Sequence, residues 1–161
     1  EYVQLTHLMM DKLSFSGDYE KLRSFGDSKK TIVREEILED LISRDKNFIV
    51  DSHYLNLIKG KINPVTGSAL AKFDMLVLIS APGEQVLNRI QKESVKRDRA
   101  LFPNELSGEE ELIKLKEYQE KTRNEFERLA SLHQKKSIEI VNIDGKLESS
   151  VGELVDFIKQ C

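Results

Sequence analysis

The sequence NFIVDS, Asn47–Ser52, joins a run of apolar side chains to a carboxylate. Two further stretches of the same kind are FDMLVLIS, Phe73–Ser80, and SIEIVNID, Ser137–Asp144. Closely spaced apolar residues of this length are typical of parallel strands that are covered on both faces. We therefore predict that these three stretches form buried strands of a parallel sheet.

Helical patterns, with apolar residues every three or four positions, separate the predicted strands. The predicted helices cover Thr6–Leu13, Asp27–Arg44, Gly83–Glu93, Ser107–His133 and a closing segment that begins at Ser150. Ser107 and Ser150 are each followed three residues later by glutamate, which is the spacing of a capping box. Strands that alternate with helices predict an α/β domain built on a parallel sheet.

Composition narrows the class of protein. The chain has 161 residues, enough for one domain, and its net charge of −3 argues against broad nucleic-acid binding. No apolar run approaches the ~18 residues of a membrane helix, so no membrane partner is expected. Cys161 is the single cysteine, so we expect no disulfide framework, no zinc site and a reducing, cytoplasmic setting.

Asp51 is the first candidate site residue, because ligands of parallel sheets bind beyond the carboxyl ends of the strands. A carboxylate in this position can hold Mg²⁺, usually through water. The alternative is a strand-end aspartate that caps the following turn. His53 comes two residues later and can stack on, or hydrogen-bond to, a ligand.

Arginines supply the remaining candidates. Arg97 and Arg99 lie in a polar stretch, about 93–106, that we predict to be a mobile lid able to close over phosphates. A solvated charge run is the alternative. Arg123 follows on the next predicted helix, where the alternative is a surface arginine paired with Glu120 or Glu127. Arg23 lies in a predicted polar turn, and a single arginine in a turn does not by itself indicate a functional site.

The order of these features resembles archaeal-type adenylate kinases, which are P-loop nucleoside monophosphate kinases. The resemblance covers nearly the whole chain. Phe48–His53 is similar to the family's apolar strand followed by Asp-Thr-His, and Ala81–Glu84 is similar to its Ala-x-Pro-x-Glu turn. Ser94–Asp98 resembles the family's lid sequence Thr-Arg-x-Arg-Asp. Tyr118–Arg123 resembles its motif His-Gln-x-x-Asn-Arg. Arg23 matches the family arginine that binds the AMP phosphate.

The resemblance implies a three-layer P-loop kinase fold, α/β with a parallel sheet, for a single domain over residues 1–161. It implies ATP:AMP phosphotransfer with ATP and AMP as substrates and Mg²⁺ as cofactor. Asp51 would organise the metal, and Arg23 and His53 would bind the monophosphate. Arg97, Arg99 and Arg123 would act on the transferred phosphoryl group.

Several positions depart from the family pattern. Val95 stands where the first lid arginine is expected, although Arg99 can substitute for it; Tyr118 replaces histidine and Thr122 replaces asparagine. The sequence has no Gly-x-x-x-x-Gly-Lys-Ser/Thr loop, the element that cradles the β- and γ-phosphates. We therefore expect that the first strand and the phosphate loop are absent, and that this chain alone is inactive.

Two alternatives remain open. One is a kinase with another acceptor, such as CMP or a small alcohol. The other is a non-catalytic nucleotide-binding or regulatory module whose degenerate site serves a partner. The patterns do not specify the acceptor base or the oligomeric state.

Overall fold

The chain contains six strands and six α-helices among its described residues. The structure is a computed structural model, and it describes residues 1–44, 46–58, 61–64, 68–97 and 107–160. The strands are β1 (Tyr2–Gln4), β2 (Ile49–Asp51), β3 (Leu55–Ile58), β4 (Lys61–Pro64), β5 (Met75–Ser80) and β6 (Lys136–Val141). The helices are α1 (Leu5–Lys12), α2 (Tyr19–Ser24), α3 (Asp27–Ser43), α4 (Gly83–Arg97), α5 (Gly108–Leu132) and α6 (Leu147–Lys159), with a 3₁₀ helix at Ser68–Lys72.

The chain divides into two compact units. One consists of Glu1–Tyr54 with Val65–Lys72, and the other of Leu55–Pro64 with Phe73–Cys161. In the first unit β1 and β2 pair in parallel, with Gln4 opposite Asp51 at their carboxyl ends. Helices α1 and α3 pack together in this unit. Its buried apolar residues are Val3, Leu5, Met9, Met10, Leu22, Ile37, Leu38 and Leu41.

The second unit is built on the parallel pair β5–β6, which runs in register from Met75 opposite Lys136 to Ser80 opposite Val141. Helix α5 packs against β5, α6 packs against β6, and β3–β4 form an antiparallel hairpin. The buried apolar residues of this unit are Leu55, Leu76, Leu78, Leu115, Phe126, Leu129, Ala130 and Ile140. Ile140, at 1% exposure, is the most completely buried of them.

The mixed α/β class is confirmed, with strands near all three predicted positions. The strands of the described residues form three two-stranded sheets, two parallel and one antiparallel, where the sequence predicted one parallel sheet. Strand β1 and the hairpin β3–β4 were not predicted. Each is only three or four residues long, so neither contains an apolar run of the kind that marks β5. No helix of the described residues is both long and apolar enough to cross a membrane.

The two predicted capping boxes have different outcomes. Ser107 caps α5: its side chain accepts from the Glu110 amide, and the Glu110 carboxylate accepts from the Ser107 amide at 2.8 Å. The prediction for Ser150 is wrong, because α6 begins earlier, at Leu147. The Ser150 amide already donates to the Lys146 carbonyl within the helix, and its hydroxyl donates to the Val141 carbonyl at 3.3 Å.

We expect Ser107→Ala to lower the free energy of unfolding by about 1 kcal/mol, because it removes a helix cap. Ser150→Ala is the matched control, and its effect should stay within about 0.5 kcal/mol. Urea denaturation followed by circular dichroism measures both. An equal loss in the two variants would contradict the capping assignment.

Candidate functional site

The inward face of α5 is apolar towards both ends of the helix and polar in its middle. Leu115, Phe126 and Leu129 are buried, and the positions between them at helical spacing are Gln119 and Thr122. A core-facing stripe is normally apolar throughout, because a buried polar group costs free energy unless it is hydrogen-bonded. The polar interruption therefore needs partners on the elements that α5 covers.

The structure supplies those partners. Gln119 Nε2 donates to the Ala81 carbonyl at 2.7 Å, just beyond the end of β5. The Tyr118 hydroxyl donates to the Leu55 carbonyl at 2.8 Å, and burial raises the pKa of Tyr118. Thr122 Oγ1 donates to the Tyr118 carbonyl at 2.8 Å within the helix. The polar side chains of this face thus tie α5 to β3 and to the turn after β5.

Arg123 and Glu139 form the strongest polar contact of this face. Arg123 Nε donates to Glu139 Oε2 at 2.7 Å, and Nη2 donates to Oε1 at 2.6 Å. The Arg123 side chain is 44% exposed and that of Glu139 is 24% exposed. We call Ser80, Gln119, Arg123 and Glu139 the α5 polar cluster. It lies at the carboxyl ends of β5 and β6, the edge at which parallel sheets bind ligands.

The fork between Arg123 and Glu139 also shifts both ionisation equilibria. Hydrogen bonding from Arg123 holds the pKa of the Glu139 carboxyl below its ordinary value of 4.5, and a hydrogen bond from Ser80 lowers it further against the opposing effect of burial. The same fork raises the pKa of Arg123. Both groups are therefore charged at neutral pH.

We expect Glu139→Gln to reduce stability most at neutral pH. A carboxyl whose pKa is lowered by folding stabilises the folded chain above its unfolded-state pKa, here about 4.5, and this stabilisation is lost as the pH falls through the folded-state pKa. The difference in unfolding free energy between wild type and variant should therefore shrink below about pH 4.5. Urea denaturation across this range is the measurement, and a difference that grows on acidification would contradict the assignment.

The turn after β5 approaches α5 closely. A Cβ atom placed on Gly83, the first residue of α4, would come within 3.2 Å of Leu112 Cδ1 and 3.4 Å of Gln119 Oε1. Glycine therefore lets the start of α4 lie against α5 beside the cluster. On the exposed side, Glu84 accepts from Lys116 Nζ at 2.9 Å, and this contact lowers the pKa of Glu84.

Asp51 belongs to a second group of polar residues, in the other unit. The Tyr2 hydroxyl donates to Asp51 Oδ2 at 2.9 Å, and Gln4 Nε2 donates to the Tyr2 hydroxyl at 3.2 Å. We call Tyr2, Gln4 and Asp51 the Asp51 cluster. All three side chains are exposed; Gln4 and Asp51 are the last residues of β1 and β2, and Tyr2 is the first residue of β1.

The Asp51 cluster offers one carboxylate to a metal. Within the residues that the structure describes, no group of three or more histidine, cysteine, aspartate or glutamate side chains could hold a metal ion. Mg²⁺ commonly keeps several waters and is held by one or two carboxylates together with substrate phosphates. The donor set at Asp51 fits Mg²⁺ that arrives with a nucleotide, and it does not fit a cage made of protein ligands alone.

The other predicted site residues are placed as follows. His53 is exposed in the segment after β2. Arg23 lies in the helix α2, so the prediction of a polar turn at this residue is wrong. Arg97 is the last residue of α4, so the first part of the predicted lid, residues 93–97, is helical and not irregular. Arg99 and the rest of the lid, 98–106, lie outside the described residues. Arg123 hydrogen-bonds to Glu139, which the sequence did not indicate, and Glu127 and Glu120 also interact electrostatically with it, as the alternative expected.

Sequence reasoning missed Tyr2, Gln4 and Glu139. Glu139 carried a readable signal, since it is a charged residue within an otherwise apolar stretch of β6. Tyr2 and Gln4 carried none, because β1, Tyr2–Gln4, contains no run of apolar residues. Comparison of the whole sequence with protein-family models and with curated proteins found no match in either set.

Proposed function

We propose that this chain belongs to a P-loop nucleoside monophosphate kinase of the archaeal adenylate kinase type, which transfers the γ-phosphoryl group of ATP to AMP. The proposal includes the three-layer P-loop fold and a cytoplasmic setting. One observation carries it: the α5 polar cluster lies near the carboxyl edge of a parallel strand pair, and two of its four members, Gln119 and Arg123, belong to the family-like segment Tyr118–Arg123. Phosphates bind at this edge in P-loop proteins.

The chemistry of such a transfer suits the residues present. Phosphoryl transfer depends mainly on positioning and on the stabilisation of negative charge, with little covalent work for the protein. Arg123 is a charged donor, partly exposed, and already held in one orientation. Arg97 and Arg99 are proposed to neutralise the transferred phosphoryl group in the same way.

The Asp51 cluster has a separate proposed role. Mg²⁺ bound with ATP would offset the charge of the β- and γ-phosphates, and Asp51 would accept hydrogen bonds from its water ligands. The Tyr2 hydroxyl holds one carboxylate oxygen, which keeps the Asp51 side chain in one rotamer. Arg23 and His53 are proposed to bind the phosphate of the acceptor nucleotide.

A binding experiment tests this function. AMP and Mg²⁺–ATP are titrated separately into the 161-residue chain by isothermal titration calorimetry, with CMP as a competing acceptor. We expect saturable binding of AMP that CMP displaces poorly. Phosphotransfer is then measured by a coupled assay in a polypeptide that carries this chain together with a Gly-x-x-x-x-Gly-Lys-Ser/Thr loop. A chain that binds neither nucleotide would refute the proposal.

A non-catalytic nucleotide-binding module is the second candidate. The bidentate contact with Glu139 favours it, because a carboxylate beside Arg123 offsets part of the charge that would stabilise a transferred phosphoryl group. This candidate predicts nucleotide binding without phosphotransfer, even when a phosphate loop is present.

A further inference from the structure

We infer that Glu139 is a positioning residue: it holds the Arg123 guanidinium so that the outer edge of that group is presented to an oxyanion, the phosphate of a bound nucleotide. The inference rests on the proposed function for the identity of the ligand. Its geometric basis is independent of that function, since it concerns two side chains of the α5 polar cluster. Glu139 itself would touch no ligand.

The guanidinium of Arg123 has a second usable edge. It carries five N–H donors in a rigid plane. The fork to Glu139 engages Nε and Nη2, which are the donors along one side of the group. The end of the group, formed by Nη1 and the second N–H of Nη2, makes no hydrogen bond to any described residue. Two parallel N–H groups of this kind match two oxygens of a phosphate.

Access favours a ligand at that end, where an anion also meets the opposing charges of Glu127 and Glu120, which interact electrostatically with Arg123. Arg123 projects from α5 at the carboxyl edge of β5–β6, and at 44% exposure its outer edge is open to a ligand. Ser80, the last residue of β5, lies beside Glu139 and helps to lower the pKa of its carboxyl. A long side chain that is already ordered loses less entropy when it binds, so the fork prepares Arg123 for its ligand.

Glu139 has an opposing effect, because its negative charge repels an anion. The two effects are separable by substitution. Glu139→Asp keeps the charge but shortens the side chain by one methylene, which breaks the match of the fork. Glu139→Gln removes the charge and leaves one acceptor oxygen. A positioning role predicts weaker binding in both variants, whereas a role through charge alone predicts tighter binding in Glu139→Gln and no change in Glu139→Asp.

A matched control lies on the same helix. Arg128 donates from Nε and Nη2 to Glu125, both at 2.8 Å, so it forms a fork of the same geometry. Arg128 is closer to the end of α5, where the chain turns back into the start of β6, and is thus farther from the carboxyl edge. Glu125→Gln breaks this second arginine–glutamate pair of α5, and neither Arg128 nor Glu125 is a member of the α5 polar cluster.

The experiment uses the 161-residue chain with two probes, AMP and inorganic phosphate. Calorimetry gives the dissociation constants, and NMR of ¹⁵N-labelled arginine side chains follows the Arg123 Nε–H and Nη signals. We expect both Glu139 variants to bind AMP about fivefold more weakly and Glu125→Gln to bind it like wild type. On addition of phosphate, the wild-type Nη signals should shift while Nε–H stays protected by Glu139.

The outcomes separate the two proposals. In one outcome, phosphate shifts the Arg123 signals in wild type and shifts them less in the Glu139 variants, while AMP does not bind. The proposed function then fails, and the positioning role stands. If AMP binds and Arg123 is not perturbed, or if Glu139→Asp binds both probes like wild type, the positioning role is overturned and the proposed function is unaffected. A chain whose Arg123 responds to neither probe overturns the positioning role as well.

Discussion

Phe126→Ala is expected to lower the free energy of unfolding by about 3–5 kcal/mol. Phe126 is 5% exposed on the face of α5 that packs against β5, directly after the polar interruption of that face. Removing its ring deletes a large buried apolar surface and leaves a cavity that the strands can fill only in part. The measurement is urea denaturation followed by both circular dichroism and tyrosine fluorescence.

Ile113→Ala is the matched control for this substitution. Ile113 lies on the same helix but is 53% exposed, so its truncation removes little buried surface. Alanine is also the better helix former, which offsets part of any loss. We expect an effect within about 0.5 kcal/mol. Equal destabilisation in the two variants would show that the face of α5 is assigned incorrectly.

Asp51→Asn is expected to reduce turnover at least tenfold, about 1.4 kcal/mol in the activation free energy, if the proposed function is correct. Asparagine keeps the shape of the side chain and can still accept the hydrogen bond from Tyr2, so the substitution mainly removes the negative charge. That charge is what attracts the water ligands of Mg²⁺. The assay requires a polypeptide that carries this chain with a phosphate loop, and it is run as a titration of Mg²⁺.

Tyr2→Phe is the companion variant. It removes the hydrogen bond to Asp51 Oδ2 and leaves the carboxylate in place, so a smaller loss of about twofold to threefold is expected. Turnover of Asp51→Asn at the wild-type level under ordinary Mg²⁺ concentrations would remove Asp51 from the metal site. If Tyr2→Phe lost more turnover than Asp51→Asn, the orientation of the Asp51 carboxylate, and not its charge, would be the property that supports turnover.

The elements that could be predicted are those whose local pattern is strong. Strand β5 holds a run of apolar residues, and α5 combines a capping box with apolar residues at helical spacing, so both were found near their observed limits. The start of α6 was missed because Ser150-Val151-Gly152-Glu153 has the spacing of a capping box inside a helix that had already begun. A local spacing cannot reveal whether the amide of Ser150 is already bonded.

The candidate site residues also differ in whether a local sequence pattern could indicate them. Asp51 and Arg123 were found from their positions beside an apolar strand and on a predicted helix. The partner of Arg123 was not found, because Glu139 is 16 residues away and lies on another element. Glu120 and Glu127 are near in sequence and at helical spacing, which is the only proximity that a sequence displays.

The α/β class and the approximate positions of β2, β5, β6 and the long helices could be predicted from the sequence, because they depend on short-range periodicity and capping. The pairing of the strands, and the polar groups that meet across them, became clear from the folded chain. The register of β5 on β6 places Ser80 beside Val141 and Leu78 beside Glu139, and the packing of α5 brings Arg123 to that carboxylate. Such contacts arise from the burial of apolar faces on separate elements, and this long-range burial leaves no local pattern along the chain.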